Sequence, residues 1–173
     1  INYFTPKASI RFNPSDMKNY SSSDRSINVD GIFDINRLAI DDSFEEGKSL
    51  TLGIEYKKNK LNDINNFFEA KIATVYRDKN EKFIPQSSGI DSKDSNIFGS
   101  ISSNQFNFID ISYDFILDND FKTLEYNSLN TSINYKNFKT SFNFMEEDGA
   151  IGDTNTIENK TSVKFNDENY LTF

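Results

Sequence analysis

The stretch LTLGIEY, residues 50–56, alternates apolar and polar side chains without interruption. A period of two places every second side chain on the same face of an extended strand, whereas a helix would scatter the four apolar ones around its circumference. The stretch therefore predicts a β-strand with one apolar face and one polar face. The acidic segment DDSFEEG, residues 41–47, precedes it, and its glycine permits the chain reversal that begins the strand.

Similar alternation recurs along the chain and predicts an all-β protein of about nine strands. One segment, 124–135, changes phase part-way, which predicts a β-bulge near Asn127 and Ser128. A single helical turn is compatible with the spacing of apolar residues in 31–40. The predicted strands are 3–12, 49–58, 67–77, 97–102, 108–117, 124–135, 138–145, 161–165 and 170–173.

The predicted connections tend to alternate in length. Long connections at 13–48 and 78–96 are followed by shorter ones at 59–66 and 103–106, where Ser103–Gln105 reads as a tight turn. This alternation predicts antiparallel neighbours with long loops at one end of the sheet and short turns at the other. The connection at Asp118–Asp120 is shorter than this rule expects, and a further turn is predicted at Asn166–Glu168.

Composition restricts the classes of protein and of chemistry. Only 36% of the residues are hydrophobic and no run approaches the roughly 20 apolar residues of a transmembrane helix. Zero Cys and zero His exclude disulfides, thiolate sites and serine–histidine or cysteine–histidine catalysis in these residues. A net charge of −8 disfavours nucleic acid as a partner. Because the chain begins at Ile1 without a signal peptide, we expect it to be part of a longer, processed protein.

Acidic pairs are the remaining candidates for catalysis or metal binding. Asp110 and Asp114 are four residues apart on one strand face, which is about 13 Å and too far for a two-carboxylate mechanism. Glu45 and Glu46 are adjacent in an acidic turn. The loops at 91–94 and 118–120 lack the spaced ligands of a calcium loop. We therefore expect no enzyme activity, no cofactor and no metal site.

Three stretches resemble the C-terminal region of the LptD family, in the family's order. The first is TPKASIRFNP at residues 5–14. The second combines Asn-Arg-Leu at 36–38, the acidic turn that ends at Gly47, and LTLGIEY. The third is a Tyr-Arg-Asp exit at 76–78 followed by SGIDSKDSNIFGSI at 88–101, in which Ile90 replaces the usual leucine and Ser95-Asn96 stands where Ser-Asp is common. The resemblance is strongest at 3–14, 28–58 and 76–117, and it fades after Tyr135.

This resemblance implies a fold, a location and a function. Residues 1–173 are expected to form part of a single C-terminal domain, an antiparallel transmembrane β-barrel with more strands than these, in the outer membrane of a Gram-negative bacterium. The implied function is lipopolysaccharide transport and assembly at the outer leaflet. The implied partners are lipopolysaccharide, an LptE-like plug lipoprotein, and periplasmic bridge proteins that act through an N-terminal jellyroll. That jellyroll and the family's cysteines are not in these residues.

The alternation itself leaves other classes of protein open. One face can meet lipid while the other meets water, or one face can form a core while the other meets solvent. The alternatives are another outer-membrane barrel of the porin or autotransporter type, and a soluble β-sandwich adhesin or carbohydrate-binding module. In the barrel interpretation the lumen-facing residues are Thr51, Glu55, Asp110, Ser112 and Asp114, and the lipid-facing residues are Leu50, Leu52, Ile54, Ile109, Ile111 and Phe115.

Overall fold

The computed structural model describes residues 1–61, 63–106, 108–165 and 170–173. Within these residues it contains nine β-strands, two short 3-10 helices at Gly31–Phe33 and Gln86–Ser88, and no α-helix. No helix in this part of the chain is long and apolar enough to cross a membrane. The strands are β1 (Asn2–Asn13), β2 (Gly47–Lys60), β3 (Asp63–Arg77), β4 (Asp94–Phe106), β5 (Ile109–Leu117), β6 (Leu124–Tyr135), β7 (Phe138–Glu147), β8 (Thr154–Lys164) and β9 (Tyr170–Thr172).

All nine strands belong to one antiparallel sheet in which each strand pairs with its neighbours in sequence. The all-β, antiparallel prediction is therefore confirmed. The order β1 to β9 leaves β1 and β9 as the two edges, and no pairing in the described residues joins them. The sheet is open.

The connections divide the sheet into two different ends. Loop 1 (residues 14–46), loop 2 (78–93) and the shorter connections 118–123 and 148–153 lie at one end, here called the loop end. The opposite end, here called the turn end, holds the short connections that follow β2, β4, β6 and β8. Acidic and basic residues balance outside the four loop-end connections, so the net charge of −8 resides in those connections.

Several strands extend further than their alternation suggested. The predicted tight turn at Ser103–Gln105 is wrong, because these residues lie inside β4. The turn predicted at 59–66 is shorter in the structure, because β2 continues to Lys60 and β3 begins at Asp63. Backbone pairing with a neighbouring strand thus outweighs the low β-propensity of Asn and Ser. The predicted turn at Asn166–Glu168 lies outside the described residues.

The phase change in β6 results from a bulge two residues earlier than predicted. Ile116 of β5 is opposite Tyr126, but the next residue, Leu117, is opposite Leu124, so that Glu125 has no partner in the ladder. The extra residue turns Tyr126 to one face of the sheet and leaves Leu124 on the other.

The hydrophobic core lies on one face of the sheet, at the loop end. Loops 1 and 2 fold over this face and cover strand residues of β3, β4 and β5. Loop 1 supplies more of the buried apolar residues than any other connection. The helical turn within 31–40 is a 3-10 turn at Gly31–Phe33. The buried apolar residues are Met17, Ile27, Val29, Ile32, Leu38, Ile40, Ala73, Val75, Ile84, Ile90, Phe98, Ile116 and Ile151.

Candidate functional site

One face of the sheet is apolar and largely uncovered. On β2 it is bounded by Lys48 at the loop end and Lys58 at the turn end, and the residues of that face between them are all apolar. Ile54, near the middle, is 44% exposed. The pairing register of β2 to β6 places the following predicted residues together on this face: Leu50, Leu52, Ile54, Ile109, Ile111 and Phe115.

The opposite face is polar away from the loop end. The same register brings together on it Thr51, Glu55, Asp110, Ser112 and Asp114. These residues differ in their surroundings, because Thr51 is completely buried beneath loop 1, whereas Asp110 is exposed near the turn end. The register places all five on one face, but the burial of Thr51 depends on a loop that the alternation does not describe.

Alternating charges cross the polar face on β1 to β3. Lys7 Nζ is 2.6 Å from Glu55 Oε2, and Lys71 Nζ lies 2.9 Å from Glu69 Oε2. Lys71 also contacts Asp30 of loop 1, at 2.7 Å between Nζ and Oδ1. This last ion pair ties loop 1 to the polar face beside the core residue Val29.

Hydroxyl and amide side chains replace the charges on β4 to β7. They line a shallow cavity of about 250 Å³ together with Asp110. A second cavity of about 450 Å³ lies between segment 26–30 of loop 1 and Asp114, Tyr126 and Met145. Both offer hydrogen-bond donors and acceptors to a hydroxylated ligand. The small polar residues of this face that line the first cavity are Ser102, Ser112, Asn130, Ser132, Ser141 and Asn143.

A buried cluster of two arginines and one glutamate joins loop 1 to the sheet. The guanidinium of Arg37 donates to both carboxylate oxygens of Glu45, with Nε 2.7 Å from Oε2, and Arg77 of β3 donates to Oε1. Arg37 Nη1 also donates to Thr51 Oγ1 at 2.9 Å. The Arg37 side chain has no exposed surface, and those of Glu45 and Arg77 are almost fully covered. Removing Glu45 would leave two buried arginines without their shared carboxylate.

The charge state of Glu45 depends on its two arginines. Burial by itself would raise the pKa of this carboxyl, but the hydrogen bonds and charges of Arg37 and Arg77 outweigh burial and hold its pKa below the ordinary value. Glu45 is therefore an ionised structural partner. Glu46 accepts the backbone N–H of Met17 at 3.2 Å, so both acids of this turn support loop 1.

The other acidic candidates are not gathered by the fold. Asp110 and Asp114 stand on one face of the same strand, as the sequence predicts. Asp120 forms an exposed ion pair with Lys122, at 3.0 Å between Oδ2 and Nζ. No group of three or more carboxylates able to hold a metal ion occurs in the residues that the structure describes.

The Arg37–Glu45–Arg77 cluster is the feature that sequence reasoning missed. All three residues lie within the quoted stretches that resemble the LptD family, but their positions in sequence give no sign that they meet. The only signal was Arg37 itself, a charge between the apolar residues Ile35 and Leu38 in a segment with helix-like spacing. A scan against protein-family models finds no match for this chain, and a search of curated proteins finds no match either.

Proposed function

We propose that this sheet is part of a transmembrane β-barrel in a bacterial outer membrane, and that the barrel transports lipopolysaccharide in the manner of the LptD family. The observation that supports a transmembrane barrel is the uncovered apolar face. Between Lys48 and Lys58 it spans roughly 33 Å at about 3.3 Å per residue. At a tilt of about 45° this length covers ~23 Å along the membrane normal, which matches the apolar band of about 25 Å on outer-membrane barrels.

The position of the hydrophobic core favours this proposal over a soluble β-sandwich. In a sandwich the apolar faces of two sheets pack against each other and form the core. Here the core lies on the opposite face, under loops 1 and 2. Residues such as Ile54 and Ile72 remain uncovered by any other described part of the chain, at 44% and 45% exposure. Lipid acyl chains are the natural cover for such a surface.

Loop 1 favours a transporter of the LptD type over an open porin. In a barrel the polar face would line the lumen, and loop 1 would close its mouth at the loop end. The Arg37–Glu45–Arg77 cluster and the Asp30–Lys71 ion pair fasten this cover. A diffusion pore needs a water-filled opening at that position. In the proposed barrel, further strands pair with the free edges of β1 and β9.

The function is tested by depleting the full-length protein in its host. We expect lipopolysaccharide to accumulate inside the outer membrane and its surface-exposed fraction to fall. Complementation with the wild-type gene is the positive control. Normal surface lipopolysaccharide after depletion, with altered uptake of small solutes, would instead favour a porin.

Membrane insertion is tested separately with the neighbouring substitutions Ile111→Arg and Ser112→Arg. They place the same charge on the apolar and on the polar face of β5. We expect only Ile111→Arg to impair folding into lipid vesicles, measured by protection from trypsin. Unimpaired folding of Ile111→Arg would contradict the proposed orientation.

A further inference from the structure

The turn end of the apolar face carries a row of aromatic side chains. Tyr56 and Phe68 lie 6.3 Å apart between ring centroids, and Phe108 is 6.3 Å from Phe106 and 5.8 Å from Tyr135. We call these five residues the aromatic rim. Tyrosine rings at such a position suit the boundary between hydrocarbon and headgroups, because one end is apolar and the other polar.

Two lysines extend beyond the aromatic rim towards the turn end. Lys58 follows Tyr56 on the same face of β2 and lies opposite Phe68. Lys136 follows Tyr135, with its Nζ 5.2 Å from the centroid of that ring. Both side chains are exposed. Neither forms an ion pair with any described residue, in contrast to Lys7, Lys57 and Lys71 on the polar face.

Few acidic groups in the described part of the chain lie near these lysines. Lys60 lies opposite Asp63 at the β2–β3 hairpin, so this pair is neutral overall. Asp110 is also near the turn end, but it belongs to the polar face. The net negative charge of the chain resides at the other end of the sheet. Among the residues that the structure describes, Lys58 and Lys136 therefore present positive charge without an acidic partner next to the apolar surface.

We infer that the aromatic rim, with Lys58 and Lys136, binds the anionic headgroups of phospholipids in the leaflet at the turn end. This inference rests on the proposed function, because it requires the apolar face to lie in a membrane. The rings occupy the hydrocarbon boundary, and the lysine stems extend along them so that each ammonium reaches a lipid phosphate. A lipid is favoured over an acidic protein because the rim continues directly into the apolar band that acyl chains cover.

The test measures which lipid lies next to the rim in the full-length protein folded into mixed vesicles. Tyr135→Trp supplies a local fluorophore, since this chain has no tryptophan, and the signal of the protein without that substitution is subtracted. Quenching by brominated phosphatidylglycerol is compared with quenching by brominated phosphatidylcholine. We expect phosphatidylglycerol to be preferred by about fivefold for each contributing lysine, and the preference to fall as salt is raised.

The double substitution Lys58→Gln with Lys136→Gln should bring the preference close to one. The matched control, Lys82→Gln with Lys93→Gln, removes two exposed lysines of loop 2 at the loop end and should leave it unchanged. Equal quenching by both lipids in the Tyr135→Trp protein that keeps Lys58 and Lys136 would overturn the inference while leaving the membrane proposal intact. A preference for phosphatidylglycerol that survives the double substitution would have the same consequence. An acidic protein partner would also give equal quenching. Failure of the protein to insert would instead overturn the proposed function.

Discussion

Replacing Leu129 with arginine places a charge near the centre of the proposed membrane-spanning band. Leu129 lies on the apolar face of β6, between Tyr113 of β5 and Phe144 of β7. The distance along the strand from Tyr135, in the aromatic rim, is roughly 20 Å at about 3.3 Å per residue. A strand tilt of about 45° converts this into ~14 Å of depth, which is close to half of a hydrocarbon core of about 30 Å.

An arginine at that depth costs about 2–4 kcal/mol of folding free energy. The folding equilibrium in lipid should therefore fall between about 30-fold and about 1,000-fold. The assay is a urea titration of the full-length protein in vesicles, followed by its resistance to trypsin and by its altered gel mobility when folded.

Asn130→Arg is the matched control, because the adjacent residue points to the polar face. We expect it to change the folding free energy by less than about 1 kcal/mol, as is usual for a substitution at a polar surface. Equal losses in both variants, or no loss in Leu129→Arg, would refute the assignment of the two faces to lipid and to water.

Three further predictions concern the polar face and the packing of the sheet. Arg37→Ala should destabilise the cover formed by loop 1 by about 1.5–3 kcal/mol, since it removes the charge-assisted hydrogen bonds of Arg37 to Glu45 and its bond to Thr51. Limited proteolysis within residues 14–46 should become faster, and an unchanged cleavage rate would count against the cluster. Because the pKa of Glu45 is lowered in the folded state, the ionised carboxylate contributes its full share of folding stability above the ordinary pKa of 4.5, and this share is lost as the pH falls through the lower, folded pKa. Glu45→Gln should remove this part of the pH dependence of the unfolding free energy. An identical pH profile in the variant would contradict this assignment. Gly99→Ala should lower the free energy of unfolding by about 1–3 kcal/mol, because a Cβ there would come within 2.2 Å of the Phe115 ring. Adding Phe115→Leu should recover part of that loss. Strict additivity of the two changes in unfolding titrations would show that the two residues do not interact.

The alternation of side chains determined much of this protein by itself. A period of two fixes which residues share a face, so the sequence separated Leu50 and Ile54 from Thr51 and Glu55 before any pairing was known. It also placed the β-strands and the order of long and short connections. Strand ends such as Ser103–Gln105 were less predictable, because a polar residue stays in a ladder whenever a neighbouring strand supplies its hydrogen bonds.

The tertiary structure decided what covers each face. No periodicity marks loop 1 as a structured cover, because its buried residues, from Met17 to Ile40, are spaced irregularly. Arg37, Glu45 and Arg77 come from two loop positions and a strand end, and only the folded chain brings their charges into contact. The local pattern therefore determined the two-faced sheet, whereas the location of its core depended on contacts between residues distant in sequence.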